Sequence, residues 1–179
     1  MKKINIGIIA LTLIVTSCSK DVKENKTERI FDVNVNLEND FINIDNTKKQ
    51  YNAHSGEFYS SIDSIAQYGA GYVKSIDDTL HGYNLNLIVS AWVREFEAPA
   101  EGSIAVSLNK ADNSLKDWTG LKVKANNFKE KEWIFIVDTF KYKADFLTDV
   151  STIKVFSLKQ NGKDYLDVDD LKIKYIFYK

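Results

Sequence analysis

Tyr83-Asn84-Leu85-Asn86-Leu87-Ile88-Val89-Ser90-Ala91-Trp92-Val93-Arg94 alternates without a break. Leu85, Leu87, Val89, Ala91 and Val93 fall on one side, and Asn84, Asn86, Ile88, Ser90, Trp92 and Arg94 on the other. Successive side chains of an extended chain leave opposite faces, so this period of two predicts a half-buried strand. The same rhythm runs through Phe31, Val33, Val35 and Leu37, and through Ile104, Val106 and Leu108. Further strands are expected at Glu57–Ile62, Gly71–Lys74, Leu121–Lys124, Trp133–Phe140, Thr152–Leu158 and Asp170–Tyr178.

Turn signals separate these runs: His54-Ser55-Gly56, Asp77-Asp78, Pro99 to Gly102, Asp112-Asn113, Asn126-Asn127 and Asn161-Gly162. Asn161-Gly162 suits a two-residue hairpin, and Gly56 allows a tight turn that a Cβ would obstruct. No window sustains helical spacing; Ser64–Gln67 and Ala144–Thr148 suit short helical turns only. Many short strands at this spacing predict an all-β antiparallel sandwich or barrel.

The chain has 179 residues, 24 Lys+Arg against 25 Asp+Glu, one cysteine and two histidines. That length permits one sizeable core and hardly two. A formal charge of −1 leaves no basic footprint for nucleic acid. One cysteine excludes an internal disulfide framework and, with two histidines, a structural zinc site built from Cys and His.

Lys2 and Lys3 precede an apolar run from Ile4 to Val15 that ends in Thr16-Ser17-Cys18. A helix of that length covers about 18 Å, well short of the ~30 Å hydrocarbon core, so this is a secretory signal rather than a span. Val15-Thr16-Ser17-Cys18 resembles a bacterial lipobox, in which the cleaved chain begins with a diacylated cysteine. The alternative is a plain signal peptide with a chance cysteine. Cleavage after Ser17 would also remove Lys2 and Lys3, taking the formal charge from −1 to −3. An acidic chain has no general attraction to anionic headgroups, so the lipid alone would hold it on the membrane. Ser19, not an aspartate, follows Cys18, which favours the outer membrane; Ser19-Lys20-Asp21-Val22-Lys23-Glu24 is similar to short charged signals for export to the cell surface. The expected organisation is a signal over 1–17, a lipidated tether over 18–29 and one domain over 30–179. Extended, the tether from Ser19 to Arg29 reaches about 36 Å.

Asn52-Ala53-His54-Ser55-Gly56-Glu57-Phe58-Tyr59-Ser60 resembles a recurring stretch of galactose-binding-like jelly rolls, the superfamily of many carbohydrate-binding modules. Ser90-Ala91-Trp92-Val93-Arg94, Trp133 with Ile134–Phe140, and Leu166-Asp167-Val168-Asp169-Asp170-Leu171-Lys172-Ile173 are similar to its later landmarks, in the same order. The resemblance implies a jelly-roll β-sandwich. That fold hosts sugar binding, adhesion and purely structural roles, so it does not assign a function. It also implies a structural calcium joining the opening loop to the last strand, here Glu38, Asp40 and Asp170. Calcium prefers six to eight oxygens; the alternative is that these acids are solvated or pair with Lys172 and Lys174.

Trp92 with Arg94 suits a sugar, whose C–H face stacks on indole while a guanidinium meets its hydroxyls. Alternatively, Trp92 packs under a loop and Arg94 snorkels over it. Trp118, in the loop-like stretch Asn113–Gly120, is either a ligand contact or a loop anchor. Tyr59, Tyr68 and Tyr72 could extend an aromatic platform, whereas Trp133, followed by Ile134–Val137, reads as core. Catalysis finds little support: no Gly-x-Ser-x-Gly turn, no phosphate loop and no marked carboxylate pair.

The expectation is therefore an outer-membrane lipoprotein that binds a poly- or oligosaccharide without cleaving it, beside glycan-uptake or adhesion proteins. The rivals are an adhesion or assembly module that binds another protein, and a glycan-acting hydrolase.

Overall fold

The computed structural model describes residues 27–35, 48–96, 102–122, 129–159 and 165–179. They form ten strands: β1 Glu28–Asn34, β2 Lys48–Gln50, β3 Phe58–Ile62, β4 Tyr68–Ser75, β5 Asn84–Glu95, β6 Gly102–Asn109, β7 Leu115–Leu121, β8 Ile134–Tyr142, β9 Thr152–Lys159 and β10 Leu166–Tyr178. Two antiparallel sheets make a sandwich. One runs β2-β3-β10-β5-β8, with β1 also paired to β10; the other runs β4-β9-β6-β7.

The alternating strand of the sequence is β5, an interior strand of the larger sheet. Leu85, Leu87, Val89, Ala91 and Val93 are buried in the core, against Ile104, Val106, Leu108, Ile153, Val155, Ile173, Tyr175 and Phe177. Each such aliphatic side chain contributes roughly 1.5–3 kcal/mol by leaving water. β10 organises this sheet. One flank pairs with β5 along its length, while the other takes β3 near Leu166–Val168 and β1 from Lys172 to Tyr178.

β1 begins at Glu28. β4 and β10 extend further at their N-terminal ends than the sequence rhythm indicates, because a bulge interrupts each: between Tyr68 and Gly71, and between Asp169 and Lys172. The second bulge brings Asp169 and Asp170 together. Consecutive strand residues should face opposite ways, yet Asp170 takes φ 49°, and both carboxylates reach the same turn. Over 144–148 the chain makes a turn with Leu147 N–H on Lys143 O, whereas 64–67 is a bend in which Asp63 Oδ1 accepts Ile65 and Ala66 N–H. Cys18, Glu38, Asp40 and Asn161-Gly162 lie outside the described residues.

β7 and β8 each end a sheet, and each carries one aspartate at a core-side register position, Asp117 half-buried and Asp138 exposed. Asp117 stands opposite buried Leu108, and Asp138 opposite buried Val89. An inward charge on an edge strand opposes pairing with another chain, because that pairing would bury it.

Candidate functional site

The residues singled out from sequence divide between two outer faces. Trp92, Arg94 and Tyr59 lie on the larger sheet; Tyr68 and Trp118 lie on the smaller one.

On the larger sheet the opening turn folds down over β5 and β10. Tyr51, Asn52 and Gly56 hold positive φ (70°, 58° and 62°), which brings the turn back on itself. Asp169 Oδ2 accepts the backbone N–H groups of His54 and Ser55 at 2.8 and 3.0 Å. Asp170 lies 2.9 Å from His54 Nδ1 and accepts the Ser55 hydroxyl at 2.9 Å. The His54 ring covers the Trp92 indole, with centroids 3.9 Å apart. Arg94 donates through Nε and Nη2 to buried Asp167 Oδ2 at 3.0 and 2.8 Å, and through Nη1 to Asn52 O at 3.0 Å. Its guanidinium sits 4.4 Å from the Trp133 ring centroid and 5.1 Å from that of Tyr59.

Trp133 is therefore not core. It is half-buried on the outer surface, with its indole N–H on Asn52 O at 3.3 Å. Burial pushes the Asp167 carboxyl above the usual carboxylate range, against the pull of Ser61 and Arg94; it likewise raises Asp169, against its backbone donors. In this cluster Trp92 is covered by His54, and Arg94 is held by Asp167 and Asn52 beside the Tyr59 ring. Asp170 is likewise taken up by His54 and Ser55. Among the described residues, no group of three His, Cys, Asp or Glu is placed to hold a metal ion.

The smaller sheet offers a different surface. Trp118 lies in β7, not in a loop, opposite Ser107, which in turn stands opposite Lys154. The next row brings Gly120, Ala105, Phe156 and Gly71 across the sheet. Phe156 and Trp118 meet across β6 with ring centroids 5.8 Å apart, over side chains too small to separate them. Tyr68 adjoins Phe156 from the other side, at 5.9 Å. Gly71 makes room for this: a Cβ there would stand 2.5 Å from Phe156 Cβ and 2.7 Å from Val155 O.

Tyr68 is 65% exposed and Trp118 42% exposed, so the strip faces solvent. Beside it lies an open depression of about 570 Å³ lined by Tyr68, Gly69, Gly71, Tyr72, Val73, Lys154, Val155 and Phe156. That lining holds no carboxylate, histidine or cysteine. Tyr72, opposite buried Val155, turns toward the core rather than joining the strip. Phe156 was missed from sequence, although the signal was present: Ile153 and Val155 alternate with Lys154 and Phe156, which must face outward together.

The class that fold and site define is an antiparallel β-sandwich with a solvent-facing aromatic strip on one sheet. No protein-family model matches this chain, and no curated protein does. Among solved structures it is similar to the xylan-binding CBM22-1 domain of Paenibacillus barcinonensis Xyn10C, at 13% identity and TM-score 0.48, covering 86% of each chain. It is similar to the CBM22-1–GH10 modules of Clostridium thermocellum xylanase 10B, crystallised with xylohexaose (15% identity, TM-score 0.46, 74% of this chain). It spans about a quarter, 24%, of that protein. A structure of infectious bursal disease virus, Gt strain, is similar at 11% identity and TM-score 0.48, over 94% of this chain and 37% of the other. This likeness is one of architecture, and the chain's function has to come from its own side chains.

Proposed function

We propose that this protein binds a glycan, without cleaving it, on the outer face of its smaller sheet. The observation that carries the reading is the strip Tyr68–Phe156–Trp118, with adjacent centroids 5.9 and 5.8 Å apart and two of the rings open to solvent. Aromatic faces take up the C–H side of a pyranose, and adjacent polar groups fix its orientation. Glycosidases use two carboxylates about 5–10 Å apart, and the strands of this face carry none on their outer side. A lipid on Cys18 at the outer membrane would hold such a module at high local concentration beside its polymer, so that shallow stacking suffices.

A glycan array on the full-length protein tests the reading. Loss of retention in Trp118→Ala and Phe156→Ala, with retention kept in Trp92→Ala, supports it. Equal retention in all three variants would place the site elsewhere. Cys18→Ser should release the protein from the membrane fraction; a membrane-bound variant would remove the anchor.

A further inference from the structure

Resting on that reading, we infer that the strip takes an acidic glycan, one that carries uronate carboxylates. The four strands of the smaller sheet hold a single acid, Asp117, and its register opposite buried Leu108 turns it to the core side. The outer face is thus free of carboxylates along all four strands. Its charge is Lys154, half-buried between Val73 and Ser107 in the row that ends at Trp118, and a lining residue of the depression beside Phe156. The other lysines of these strands are directed elsewhere. Lys74 lies over Phe31, Lys116 pairs with Asp149, and Lys159 is buried. No described acid pairs with Lys154.

In a chain with more acids than bases, a carboxylate-free aromatic face with a cation in its middle is a local reversal of sign. An ammonium only donates; it serves a neutral hydroxyl adequately but gains a charge-assisted bond from a carboxylate. The missing acids matter equally, because a carboxylate on this face would repel an acidic chain. An anionic bilayer fits less well. One lysine supplies only about 1 kcal/mol toward such a surface.

The test uses full-length protein and sodium salts of several uronate polysaccharides, each paired with its carboxyl-reduced form, so that backbone is constant and charge is removed. The acidic member should bind about three- to tenfold more tightly, with an advantage that shrinks as salt rises. Lys154→Met should bring the acidic member down to its reduced counterpart, while Lys154→Arg keeps the preference. Equal affinity within every pair, a preference for the reduced form, or an unchanged preference in Lys154→Met overturns the inference and leaves the glycan-binding reading standing. No retention on any polysaccharide overturns both.

Discussion

The imidazole of His54 lies on the indole of Trp92 with centroids 3.9 Å apart and planes 14° from parallel. The ring face a sugar would need is therefore taken by the protein's own opening turn. The stack closes a circuit in which Asp169 and Asp170 hold the same turn from below.

Removing either member should cost stability and spare binding. Trp92→Ala and His54→Ala are each expected to lower unfolding free energy by about 1–3 kcal/mol, with a double mutant less costly than the sum. Chemical denaturation measures this, and an unchanged midpoint in Trp92→Ala would deny the stack its role.

Arg94→Met should be the more damaging change. Arg94 and Asp167 are 11% and 2% exposed, and leaving a buried carboxylate unpaired costs about 3–5 kcal/mol. A loss below ~1 kcal/mol would mean that Asp167 is held by its other neighbours.

Two aspartates should respond to pH with opposite sign. The folded carboxyl of Asp167 is raised by burial, so its contribution is complete below the ordinary carboxylate range and is lost as pH rises through the folded value. The stability penalty of Asp167→Asn should therefore be greatest in acid and shrink toward neutrality. Asp63 is held low, chiefly by Ala66 N–H and then Ile65 N–H, so its contribution is present above that range and lost as pH falls. The penalty of Asp63→Asn should grow from acid to neutral pH. Melting curves of both variants against wild type, from about pH 3 to 7, read the two slopes, and parallel slopes would contradict the assignment.

Gly71→Ala probes the strip without removing a ring. Its methyl would meet Phe156 Cβ at 2.5 Å and the Val155 carbonyl at 2.7 Å, so β4 and Phe156 must separate. Destabilisation of about 1–3 kcal/mol together with weakened glycan retention is expected. Full retention would show that the position of Phe156 does not matter.

Asp117 and Asp138 occupy core-side register positions on β7 and β8, each at one edge of its sheet. Asp138→Val should raise β-sheet thermal stability slightly and promote self-association, visible in light scattering. A variant that stays monomeric at high concentration would show the edge to be blocked by something else.

Much of this was legible in the sequence. β5 announces itself because five buried apolar positions alternate perfectly, and both motifs that meet at the opening turn were visible as motifs. Their pairing was not. His54 and Asp170 are 116 residues apart, and the bulge after Asp169 breaks the period on which a strand reading relies. Tyr68 and Trp118 were singled out beside Trp92 and Tyr59 because aromatic side chains look alike in one dimension. Only the sheet order separates them, placing β4, β9, β6 and β7 together and β5 elsewhere. Phe156 was hidden for a simpler reason: a phenylalanine among Ile153, Val155 and Leu158 reads as core unless its parity is counted.

The most direct measurement follows the light emitted by one indole. A chain with Trp92→Phe and Trp133→Phe keeps Trp118 as its sole tryptophan, and can be titrated with the glycan that the array ranks first. Saturable quenching or a blue shift, with the midpoint that calorimetry gives for the same glycan, is the predicted result. Heat of binding without any change in Trp118 emission would contradict the account, because the sugar would then lie away from the strip.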